Sequence, residues 1–182
     1  MERNTRKYVT MGLLVALGYV SLFFIRIPII PSASFLRFDV KDVFISIGGL
    51  IFGPLYALIG AVAVSFLQML SVSEYGIIGL IMNTVSVSSF VIPQSVIYSK
   101  KKNSTGLIIG LIVGCISMVI AMLLWNYLIT PMYMGVSRDV VAKMILPVFL
   151  PFNLIKSIIN SIIIFLIFTP VKKKILKDVE KF

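Results

Sequence analysis

A chain of 182 residues that is 59% hydrophobic and only 13% charged, with a mean hydropathy of +1.05, carries more apolar surface than a short water-soluble domain can bury. The expectation is one integral membrane domain over residues 1–182, with the bilayer as solvent. The net charge of +10 is gathered beside apolar runs, a pattern the positive-inside rule explains; no soluble module presents those charges to nucleic acid, so nucleic acid is excluded as a partner and membrane lipid takes its place.

Arg3, Arg6 and Lys7 precede the first apolar run, Tyr8 to Ile27, which at ~1.5 Å per residue is long enough to span. Arg26 lies close enough to its end to snorkel. The run is too long for a cleavable signal peptide, lacks an obvious cleavage site and is followed by further membrane segments. Gly12 and Ala16, four apart, form a small-residue pair suited to packing within the bundle or to docking on another subunit. The first outer loop, "PIIPSASFLRFD", is Pro-rich and apolar enough to fold over something.

Val43 to Leu70 is too long for one span and short for two. Gly53-Pro54 within "IFGPLY" is a turn signal, and proline removes a backbone donor, so the stretch divides there. Charge parity favours the same cut. With two helices here, Lys100, Lys101 and Lys102 fall on the side of the N-terminus, as do Lys172, Lys173, Lys174, Lys177 and Lys181; 11 of the 17 basic residues are then cytoplasmic. The second span, from near Asp39 to Gly53, is short, which leaves a re-entrant segment open.

Gly76 to Tyr98, Gly106 to Leu128 and Met144 to Thr169 complete the set. The predicted fold class is an all-α integral membrane protein of six transmembrane helices with both termini cytoplasmic. Gly106, Gly110 and Gly114, with Ser117 and Ala121 further along, favour close packing inside the bundle. "TPMYMGVSRD" opens the last outer loop, and substantial outer loops suggest recognition on that side.

Polar residues inside the apolar runs are few. Asn83 lies in the fourth span, Asn126 near the end of the fifth, and Asn153, Lys156, Ser157 and Asn160 along the sixth. Asn126, Asn153 and Lys156 fall in the outer half of the bilayer, where amides and one ammonium suit a flat, polar-edged heterocycle. Lys156 is read either as a ligand contact or member of an internal polar network, or as a snorkelling residue. For Asn126 and Asn153, capping or interhelical hydrogen bonding stands beside ligand contact. Trp125, Tyr127 and Tyr133 fit an interfacial aromatic belt as well as a cavity wall. Asn160, a turn deeper, is expected to bond a neighbouring helix.

The chain has no histidine, one cysteine (Cys115) and seven carboxylates, with no nucleophile–base pair and no phosphate-cradling loop, so an enzyme is not expected. Asp39 and Asp42 sit at the mouth of the second span without further metal ligands, and no carboxylate is expected to be buried mid-membrane. The inner half offers little polarity beyond Ser65 and Gln68, which counts against a self-contained small-solute carrier. What remains is a solute binder without an engine.

"FLRFDVKDV", "GLIFGPLYALIGA", "GIIGLIMNTVS", "NYLITPMY" and "PFNLIK", in this order over nearly the whole chain, resemble the substrate-binding S components of energy-coupling factor (ECF) vitamin transporters, the riboflavin-specific type in particular. The resemblance implies a multi-pass protein of the bacterial plasma membrane with no cofactor of its own. It would capture riboflavin from outside and work with a transmembrane coupling subunit and two cytosolic ATPase subunits. By motif, Asn126, Asn153 and Lys156 match positions that hydrogen-bond the flavin ring, and Asn83 matches a cavity asparagine. The first outer loop, with Phe35, Leu36 and Asp39, matches a lid, and Gly12 and Ala16 match the docking motif for the coupling subunit. Val64-Ser65 stand where riboflavin members commonly carry Lys-Asn, and Phe44 where they often carry proline. These departures keep another B vitamin or heterocycle open as the solute.

Overall fold

The computed structural model describes residues 2–72 and 75–180, with side chains omitted at 2–4, 32 and 171–180. Helix α1 (Glu2–Phe24) leads into a two-stranded antiparallel hairpin, β1 (Arg26–Pro28) and β2 (Arg37–Asp39), joined through a 3-10 turn at Pro31–Ala33. Then follow α2 (Lys41–Phe52), α3 (Pro54–Ser71), α4 (Gly76–Lys101), α5 (Ser104–Met134), the short α6 (Arg138–Met144) and α7 (Leu150–Glu180). A π-helical segment, Ile145–Phe149, joins the last two. The C-terminal lysines 172, 173, 174, 177 and 181 and Arg3 lie outside the described side chains.

Among the described residues the regular structure apart from the hairpin is helical, and five helical stretches are long and apolar enough to cross a membrane: 5–24, 54–71, 76–101, 104–134 and 138–170. Helix α2 is the exception, because 12 residues rise only ~18 Å against a hydrocarbon core of ~30 Å. It packs instead in the middle of the bundle, against α1, α3, α4 and α7. Eight of its 12 residues are buried, which suits a helix surrounded by protein and not by lipid. The break between α2 and α3 falls at Gly53-Pro54. Gly53 adopts φ +101°, a region open to glycine, and Pro54 starts α3 at a position where a missing N–H costs nothing.

The small-residue row of α5 packs internally. A Cβ added at Gly114 would lie 2.6 Å from the Phe90 carbonyl oxygen of α4, and one at Gly110 would meet the backbone of Gln94 at 3.1 Å. Backbone-to-backbone approach of this kind requires glycine. Gly12 and Ala16, by contrast, lie on an exposed face of α1, with nothing within 4 Å of a Cβ built at Gly12.

Three boundaries differ from expectation. Helix α1 ends at Phe24, so Arg26 does not snorkel from a helix end but opens the hairpin, opposite Asp39. Helix α5 continues through Pro131 to Met134, because a proline there removes one N–H without stopping the chain from helical geometry, and Gly135 at φ +66° ends it. The last membrane stretch begins at Arg138, not Met144, and passes two prolines, Pro147 and Pro151, by widening into the π turn.

Candidate ligand-binding site

At the hairpin end of the bundle, strand β2, α3, α4, α5 and α7 enclose one cavity. Its wall contains Asn83, Asn126, Asn153 and Lys156 together with Phe35, Leu36 and Asp39, so every residue assigned to the ligand site or lid lines the same space. Phe35 rests against Phe149 of the π turn, with ring centroids 6.3 Å apart, which seats the hairpin loop on the final helix.

The amides are oriented by their own helices. Asn83 donates to the Gly79 carbonyl at 2.9 Å, Asn126 to Met122 at 2.7 Å and Asn153 to Phe149 at 2.8 Å. Each bond reaches back four residues, so the amide plane is set locally. Asn126 is held twice: the buried Thr130 hydroxyl donates to its Oδ1 at 2.9 Å and lies 3.0 Å from the Tyr133 hydroxyl. Tyr133 packs against Tyr75, a further cavity residue, with ring centroids 4.9 Å apart and the rings tilted at 54°. Of the three aromatic residues near this end of α5, Trp125 packs on the core, Tyr133 joins the Thr130 chain, and Tyr127 is exposed.

Lys156 does not snorkel. It is 5% exposed, and its Nζ lies 3.2 Å from Asp39 Oδ2 and 3.3 Å from Asp42 Oδ2. Lys41, wholly buried, pairs with the same Asp39 oxygen at 2.9 Å and lies 3.8 Å from Asp42. Asp39 and Asp42, expected at the mouth of the second span, are buried there within the protein, 4% and 0% exposed. Two lysines compensate them, which is the condition under which such charges persist in an apolar interior. Asn160 bonds no helix; its amide donates to the Asp39 backbone carbonyl at 3.3 Å and ties α7 to the hairpin strand.

Gln68 also lines the cavity, so its assignment to the inner half is corrected. It stands near the end of α3, one helix after the turn at Gly53, and therefore returns to the level of the hairpin. The reading of the sequence also missed Arg26, Arg37, Tyr75, Met82, Ser86, Met122 and Phe152 as wall residues. Ser86 was accessible to inspection, since it follows Asn83 by three residues on one face of α4. The arginines were not, because only the strand pairing turns them toward the cavity end. Val64, Ser65 and Phe44, the departures that kept other solutes open, do not line the cavity among the described residues.

A family model described as the substrate-specific component of ECF transporters matches residues 6–168. A riboflavin transporter, RibU, of Streptococcus thermophilus is 31% identical over 134 residues, which is 71% of this chain and 63% of that protein; the match thus spans less than two thirds of the relative's length. A solved structure, reported as that of the S component of a bacterial ECF transporter, is similar with a TM-score of 0.79 at 28% identity, covering 93% of this chain and 97% of that chain.

Proposed function

The chain belongs to the family of substrate-specific components of ECF transporters, multi-pass membrane proteins that bind a solute and are not enzymes, and from that premise we propose that it captures riboflavin from outside the cell. The observation that carries the reading is the convergence of Asn83, Asn126, Asn153 and Lys156 on one cavity beneath a hairpin. Fixed amides and an ammonium match the carbonyl and ring-nitrogen edge of an isoalloxazine, and Met82, Met122 and Phe152 supply apolar wall for its faces. The curated relative that transports riboflavin supports the choice of solute.

In this reading residues 1–182 form a single substrate-binding domain. The bundle has six members with both termini cytoplasmic, and α2 is the short second member. The hairpin with Phe35, Leu36 and Asp39 is the lid. A transmembrane coupling subunit and two cytosolic ATPase subunits provide energy, and the exposed face of α1 around Gly12 and Ala16 is where the coupling subunit docks.

The test is direct. Purified in detergent, the full chain is titrated into riboflavin while flavin fluorescence is followed. We expect quenching with a Kd below about 1 μM, equivalent to more than about 8 kcal/mol. Binding weaker than that would remove riboflavin as the solute.

A further inference from the structure

Lys156 reaches the cavity already committed to two carboxylates, and one of them never meets the cavity. Among the described residues Asp39 and Lys156 line the wall, whereas Asp42 does not. We propose that Asp42 and Asp39 are positioning residues for Lys156, and that the Asp39–Lys41–Asp42–Lys156 cluster latches the outer hairpin onto α7. The ligand-facing part of this inference rests on the riboflavin-binding reading above.

The geometry runs from residue to lid. An ammonium on a four-carbon stem has three donors and many rotamers, so alone it offers a ligand no fixed direction. Here one N–H goes to Asp39 Oδ2 at 3.2 Å, and Asp42 Oδ2 stands 3.3 Å away. The ammonium is thereby hydrogen-bonded to Asp39 and ion-paired with Asp42, which fixes its position at the cavity wall. Asp39 is the last residue of β2, and α7 grips it at two positions a turn apart. Lys156 takes its side chain and Asn160 takes its backbone carbonyl, while Lys41 binds the same Oδ2 from the start of α2. The hairpin therefore cannot leave α7 without changing what holds Lys156. The four charges sum to zero in a buried setting, so removing any one leaves an uncompensated charge.

A mutant cycle on the full chain in detergent tests this, with riboflavin as the probe and ligand-free thermal unfolding as a second readout. The variants are Asp42→Asn, Lys156→Met and the two combined. We expect Asp42→Asn to weaken riboflavin binding by about tenfold or more, although the residue lies outside the cavity wall. In the Lys156→Met background the same change should alter affinity by less than about twofold, because Asp42 acts through Lys156. Without ligand, each single variant should unfold at lower temperature, and the double variant should recover because Lys41 and Asp39 again balance. Unchanged affinity in Asp42→Asn, or an equal loss in both backgrounds, overturns the positioning role. A double variant as unstable as the worse single variant overturns the latch, and if Asp42→Asn alone does not fold, folding of the double variant supports it. Failure of the unmutated chain to bind riboflavin overturns the proposed solute, and the ligand-free cycle still decides the latch.

Discussion

Thr130 illustrates how one buried hydroxyl shapes the cavity without lining it. Its donation to Asn126 Oδ1, together with the Asn126 bond to Met122, fixes both ends of that amide. Replacing Thr130 by Val keeps the shape and removes the donor. We expect riboflavin affinity to fall by about 0.5–1.5 kcal/mol, roughly the net worth of one hydrogen bond, measured by fluorescence titration. Lys156 carries more. In Lys156→Ala the ligand loses a charged donor, about 1–3 kcal/mol of binding, and the fold loses a buried ion-pair partner, about 3–5 kcal/mol of stability. Titration and thermal unfolding of the same preparation read the two separately. Unchanged affinity would exclude Lys156 from the ligand contact.

Between helices, α4 and α5 approach backbone to backbone. Apolar side chains gain little by leaving lipid for a helix interface, so packing and not hydrophobic burial drives association there. Gly114 lets the Phe90 carbonyl oxygen come to 2.6 Å from where a Cβ would sit, closer than van der Waals contact allows. Gly114→Val forces the two helices apart, and we expect a loss of about 1–3 kcal/mol in stability, read as a lower unfolding midpoint in detergent. Because Asn83 stands on α4 and Asn126 on α5, the same separation should weaken ligand binding as well. Helix α2 makes the complementary point. It is too short to span, yet it carries Lys41 and Asp42 into the centre of the bundle, so the charge cluster and the hairpin share one support.

For the molecule as a whole, the proposal gives two surfaces different work: the cavity end would take the solute, and the exposed flank of α1 would meet a partner. Ala16→Leu enlarges a residue on that flank, away from the cavity wall. We expect riboflavin binding by the purified chain to stay intact while riboflavin uptake by cells carrying the partner subunits falls. Uptake at the unmutated rate would remove the docking role from this face. Much of this plan is readable from residue order. Length, hydropathy and the Gly53-Pro54 break announce a membrane bundle and its most informative turn, and Asn83, Asn126, Asn153 and Lys156 stand out because polar groups in apolar runs are costly and few. The pairing of Lys156 with Asp39 and Asp42 was not readable, nor was the burial of Lys41. Residues 117 apart meet only after the hairpin folds back and α2 packs at the centre. Local sequence reports periodicity and cost, which are properties of a single segment. The compensation of a buried charge is a property of which segments become neighbours, and that is settled only when the bundle closes.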